Sequence, residues 1–279
     1  MPHTSRTRRT TPQKRIQVTD DDGWTHVTSS SNVRRVMRTT THRTNTPLDN
    51  NDKEVVKEEE EEPVLAPAEA PSRLTLAQLQ TQLESHGEKW ADSRSWAWVR
   101  EVLLQSLALP ESASSAAATP PVEAIVCIGL GSPSGFLRGG WVDRRTVCLY
   151  QLAALVAIKA LVRRQQDRPV PVYAQDPVFN TLDRELLESL GITVVEHPAA
   201  FDLVTQHSVV FCPGAESKHL LQIFLSRPRI LFCNQIDTID SQFRSFLEHT
   251  RPRLMPDFPP CEEAFWRLAL YARHGDSSD

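Results

Sequence analysis

Residues 122–135 read VEAIVCIGLGSPSG. Ala124 to Ile128 is a short apolar run, and it stops in Gly129-Leu130-Gly131-Ser132-Pro133-Ser134-Gly135. A run of this length bounded by turn residues predicts a buried strand. Glycines just past a strand let the backbone approach a ligand or a neighbouring element closely. In a doubly wound α/β sheet, the first strand delivers its loop to the binding edge in this way.

Outward from that stretch, strand-like and helical patterns alternate. Apolar runs end at Gln175-Asp176, at Val195, at Cys212-Pro213-Gly214 and at Asn234. Helical spacing is expected over about 143–165, 182–190, 217–225 and 239–249, with Thr181 as a cap and a closing helix over 261–273. Before the first strand, Leu74, Leu76, Leu79 and Leu83 predict one helix, and Trp96, Val99, Leu103, Leu104 and Leu107 a second that Pro110 stops. Short continuous apolar strands with crossover helices mean a sheet covered on both faces. The expected fold is α/β: a Rossmann-like three-layer domain with a mainly parallel five-stranded sheet, N-terminal helices and a long disordered N-terminal tail. The expected divisions are a tail over 1–72, a helical preamble over 73–110, a low-complexity linker over 111–121 and the α/β domain over 122–273.

The 279 residues leave room for one sizeable domain plus tails. The net charge of -4 hides a basic stretch before Pro47, including Arg6, Arg8, Arg9, Arg34, Arg35 and Arg38, and the acidic run Glu58 to Glu62. Such blocks mark solvated, interacting tails, so protein partners are expected there. Within the tail, Asp20-Asp21-Asp22-Gly23-Trp24 reads equally as a docking peptide or as chance. Five dispersed cysteines without a framework spacing fit buried thiols in a reducing compartment, and a cytoplasmic or nuclear location is expected. No apolar run reaches the length of a membrane span, so no membrane partner is expected. No specific nucleic-acid motif is present.

All strand C-termini of a parallel sheet point to one edge, where ligands bind. That edge collects Gly129, Gly131, Ser132, Asp176, Pro213, Glu216 and Asn234, the expected ligand-binding set. Two readings stay open. In one, the loop cradles an adenosyl or nucleotide ligand, with Asp176 on its ribose. In the other, the glycines form a tight packing turn: the spacing is G-x-G-x-x-x-G, no helix starts directly after it, and Asp176 lies farther along than a ribose-binding acid usually does. Glu216 and His219 share a helix face without an evident third metal ligand. Cys212-Pro213 admits a haem thiolate reading beside that of a buried strand-end cysteine. Ser132 lacks His and Asp partners in a nucleophile-elbow setting, which disfavours acyl transfer.

Several of these residues, in order, resemble the SRR1-like domain family. They are Cys127-Ile128-Gly129-Leu130-Gly131-Ser132, Gln151-Leu152-Ala153, Asp176-Pro177-Val178-Phe179, Leu190-Gly191-Ile192, the strand end with Pro213, and Asn234. The resemblance runs from about Trp90 to His249, and Asp22-Gly23-Trp24-Thr25 is similar to the start of many members. Two departures stand out. Members commonly carry Pro-His-Cys after the fourth strand, where this chain has Cys212-Pro213-Gly214, and Asn-Ser after the fifth, where it has Asn234-Gln235. The resemblance implies a regulatory protein without an established reaction, linked to circadian and light signalling and to haem metabolism. The resemblance fixes no cofactor; haem and the adenosyl or nucleotide compound of the loop reading above are the candidates. A pure interaction module with a vestigial site is the other reading. The Ala-, Pro- and Glu-rich insertions point to a fungal member.

Overall fold

The computed structural model describes residues 15–19, 25–29, 66–108, 120–136, 144–236, 243–248 and 250–273. The chain divides into two compact units, 1–61 and 62–279. Within the first, β1 (Arg15–Thr19) and β2 (Thr25–Ser29) pair antiparallel, Gln17 opposite Val27. Alternating β-branched residues in RIQVT and THVTS suit such pairing. Most of the expected disordered tail, including Trp24 and Glu58 to Glu62, lies outside the described residues.

The second unit is built on β3 (Ala124–Ile128), β4 (Val172–Gln175), β5 (Thr193–Val194), β6 (Ser208–Cys212), β7 (Ile230–Asn234), β8 (Thr250–Leu254) and β9 (Leu268–Arg273). Their order across the sheet is β5-β4-β3-β6-β7-β9-β8. The first five are parallel, as expected. β9 and β8 extend the sheet antiparallel, with Phe232 opposite Leu270 and Pro252 opposite Tyr271. The expected closing helix over 261–273 is therefore corrected. Only Glu262–Phe265 makes a 3-10 turn, and the residues after it form β9. Leu268 and Leu270 face one core while Ala269 and Tyr271 face the other, the period of two that a doubly covered strand requires.

The helices are α1 (Leu76–Ala91), α2 (Arg94–Leu107), α3 (Arg145–Gln166), α4 (Thr181–Ser189), α5 (Ala199–Asp202), α6 (Ser217–Leu225) and α7 (Arg244–Glu248). Thr75 and Gln78 form a capping box on α1, and Ser93 caps α2. Asn180, not Thr181, caps α4, reciprocally with Asp183. Of the helix expected over 239–249, the structure shows Arg244–Glu248, and 237–242 and 249 lie outside the described residues.

Side chains of α1 to α4 share one core with Ile125, Cys127, Phe211 and Phe232. Those of α5 and α6 share the other with Val126, Val210 and Leu231. The crossover after β3 thus packs on one face and that after β6 on the opposite face. β3 and β6 are neighbours, so the topological switch point lies between their carboxyl ends.

Contrary to expectation, helix α3, at 22 residues, is long and apolar enough to match a membrane span. Of its most apolar window, 61% is buried in the domain, as in the core helix of a three-layer fold.

Candidate functional site

Gly129 and Gly131 sit at the switch point with φ +75° and +74°, a left-handed conformation that side chains other than glycine rarely adopt. The space beside them is already filled. A Cβ on Gly129 would lie 3.0 Å from the Gly214 carbonyl carbon, and one on Gly214 would lie 2.7 Å from the Gly129 oxygen. The loops after β3 and β6 therefore touch backbone to backbone. A Cβ on Gly131 would meet the Cys148 sulfur of α3 at 2.7 Å.

The loop is held by two carboxylates. Gly131 N–H donates to Asp176 Oδ2 at 2.7 Å, and Val178 N–H donates to Asp176 Oδ1 at 3.1 Å. Deeper, the Ser132 hydroxyl donates to Asp183 Oδ2 at 2.6 Å and Ser134 N–H to Asp183 Oδ1 at 2.9 Å. Gly135 N–H donates back to Ser132 Oγ at 2.8 Å, and Asn180 Nδ2 donates to Ser134 Oγ at 2.9 Å. Ser132, Ser134 and Asp183 are all buried. Burial raises the pKa of Asp176 and Asp183, and the hydrogen bonds they accept act against that rise.

A strap not expected from the sequence covers this loop. Ala68 N–H donates to the Val178 carbonyl at 2.8 Å, and Glu69 and Phe136 exchange both backbone bonds at 3.0 Å. Ala68 lies buried against Gly135. Residues 66–72 belong to the expected tail because the stretch before about Ser72 is polar, with few large apolar residues to bury.

The other expected site residues spread along the edge. Asn234 ends β7, three strands from Asp176 and thus roughly 14 Å away at the usual interstrand spacing. Its side-chain amide donates to the Trp266 carbonyl at 2.7 Å. Pro213 is buried at the end of β6, and exposed Glu216 pairs with Lys218 at 3.2 Å. The Cys212 thiol is buried, donates to the Phe232 carbonyl at 3.3 Å and has its pKa raised by burial. Among the described residues no group of three His, Cys, Asp or Glu side chains is placed to hold a metal ion.

Gln175 and His197 join the edge unannounced by any motif. Gln175 Oε1 accepts from Ala200 N–H at 2.9 Å, so its amide nitrogen donates to His197 Nδ1 at 3.1 Å. This assigns the neutral ring proton of His197 to Nε2. The His197 and His219 rings lie 6.2 Å apart beside Phe201. His219 also lies near enough to Asp176 to favour its charged form.

The ordered match of glycine loop, Asp176, Pro213 and Asn234 is matched by a comparison of whole families. The SRR1 domain family matches residues 79–272, more than half of the chain. The chain belongs to the SRR1 domain family. The match takes in α1 from Leu79, all of α2 and the sheet as far as Ala272, so the SRR1 domain here includes the helices that precede the glycine loop. No curated protein matches the chain. A Thermoplasma acidophilum protein of known crystal structure aligns at 7% identity over 70% of this chain and 98% of that one, with a TM-score of 0.33.

Proposed function

We propose that this SRR1-domain protein acts by binding, as a regulatory factor, with no reaction at the glycine loop. The observation that carries the reading is the use of the loop's own groups. The Gly131 amide, which would face a phosphate or a ribose in a nucleotide fold, is spent on Asp176 at 2.7 Å. Two carboxylates beside the loop oppose a phosphate, and the Gly214 backbone packs against Gly129. The finer roles implied by the family resemblance, in circadian and light signalling and in haem metabolism, belong to this proposal. So do a cytoplasmic or nuclear location and partner recruitment through the N-terminal segment.

The second reading is an adenosyl- or nucleotide-dependent transferase with its ligand over Gly129, Gly131 and Ser132, touching Asp176, Pro213, Glu216 and Asn234. The strand order favours it, because the switch point is where such folds bind ligands. Calorimetric titration of the full chain with S-adenosylmethionine, ATP and haem separates the two. The binding reading expects no saturable uptake of the adenosyl or nucleotide compounds. Saturable uptake that Asp176→Asn weakens overturns it in favour of the transferase. Haem uptake that Asp176→Asn leaves unchanged supports the regulatory reading.

A further inference from the structure

A groove of about 730 Å³ lies between α2 and the end of α3. Its rim carries Arg94, Arg100 and Arg164, and its floor is the apolar surface of Ala97, Leu104 and Leu161. A second groove of about 480 Å³ shares Arg164 and continues past Arg163 and Lys159. Lys159 is already engaged, donating to the Leu190 and Gly191 carbonyls at 2.6 and 2.9 Å. Arg94, Arg100, Arg163 and Arg164 are exposed and have no hydrogen-bond or ion-pair partner among the described residues. Arg163 and Arg164 suit the C-terminal end of a helix, which alone would explain them. Arg94 does not: it occupies the first turn of α2, where the helix dipole disfavours a cation. The cluster therefore runs against the local helix electrostatics on one side of the groove.

We propose that this groove docks an acidic peptide segment of a partner protein, with its carboxylates on Arg94, Arg100 and Arg164 and its apolar side chains on Ala97, Leu104 and Leu161. This rests on the reading of the chain as a binding protein and names one of its surfaces. Guanidinium groups meet carboxylates through paired N–H bonds, and an aliphatic floor suits aliphatic side chains. A nucleic acid fits the same rim less well. Glu101 sits among the arginines and repels any anion beside it; a peptide can set an apolar residue there, whereas a nucleic acid carries a phosphate at every nucleotide. Trp98, the ring in the groove on which a base could stack, has the Arg253 guanidinium 6.0 Å from its centroid, and Arg253 is itself held by Gln105 at 2.7 Å.

The test is fluorescence anisotropy of the full chain with three labelled probes: a mixed Glu/Leu peptide, its Gln/Leu counterpart and a single-stranded RNA of similar length. The expected result is binding of the Glu/Leu peptide that weakens with added salt, with the other two bound at least about tenfold more weakly. The double variant Arg94→Glu, Arg164→Glu should lose about tenfold or more, while Arg244→Glu, an exposed charge reversal on α7, should not. Thermal melts of each variant establish that it folds. Equal binding by wild type and the double variant overturns the proposal, as does tighter binding of RNA or no binding of the Glu/Leu peptide. None of these outcomes bears on the glycine loop, whose reading fails separately, by saturable uptake of an adenosyl or nucleotide compound.

Discussion

Gly131 and Asp183 are where the two readings of the loop differ in energy. At Gly131 a β-branched residue must adopt φ +74° and displace the Cys148 sulfur 2.7 Å from its Cβ. Left-handed backbone and overpacking together predict a loss of about 2–5 kcal/mol for Gly131→Val without any ligand. Asp183→Asn puts an amide donor where both oxygens now accept, from Ser132, Ser134 and Asn180. The expected cost is about 1–3 kcal/mol. Urea denaturation of both variants measures these losses, and a loss under about 0.5 kcal/mol in either one contradicts the account.

The same carboxylate sets a pH dependence. Burial raises the folded-state pKa of Asp183 above its ordinary value of 3.8, so folding favours its protonated form. Its contribution is fully present below the unfolded value and is withdrawn as pH rises through the raised folded value. The stability of wild type relative to Asp183→Asn should therefore fall as pH increases from about 3.8 towards neutrality. Urea midpoints of the pair across that range check it; a difference that grows with pH reverses the sign and contradicts the assignment. The thiols follow from burial too. Cys127, Cys212 and Cys233 lie inside strands, and burial pushes Cys148 up to about 12. Cys261 is the partly exposed one, so native alkylation should label it first and the other four only on unfolding. Early labelling of Cys212 would instead reveal an open thiol at the sheet edge.

At the scale of elements, the strap over 66–71 and strand β9 mark what the sequence hid. The five parallel strands were legible because each lies in a short, mostly apolar stretch ended by turn residues, although β5 keeps only Thr193–Val194 of it. β9 was not, because Phe265, Trp266, Leu268 and Leu270 fit a helical face as well as an alternating strand. The free edge of β7, which sequence spacing does not display, decides between them. The strap was illegible for a different reason: it is fixed by backbone bonds to Val178 and Phe136, which any residue can make. Limited proteolysis should therefore leave a resistant fragment that still contains Ala68. A stable core beginning after Pro71 would show that the strap does not hold.

At the scale of the whole molecule, the doubly wound order was readable from the alternation of strands and helices, and so was the edge where Gly129, Asp176, Pro213 and Asn234 collect. What that edge does was not readable. Glycines at a strand end serve a ligand or a neighbouring backbone equally well, and only the packing of the Gly214 backbone against Gly129, so close that a Cβ on Gly214 would lie 2.7 Å from the Gly129 oxygen, tells them apart. Asp183 escaped notice as a loop anchor because it reads locally as a helix-cap acid, the role it also fills.

The glycine loop is locked by its own carboxylates, not held open for a ligand. Amide hydrogen exchange in the ligand-free protein tests it most directly, read at Gly131 and Ser134, whose N–H groups donate to Asp176 and Asp183. The account predicts exchange as slow as at Val126 and Val210 in the central strands, and faster exchange at Gly131 in Asp176→Ala. Rapid exchange at both amides in the free protein, with protection gained only on adding an adenosyl compound or nucleotide, would contradict it.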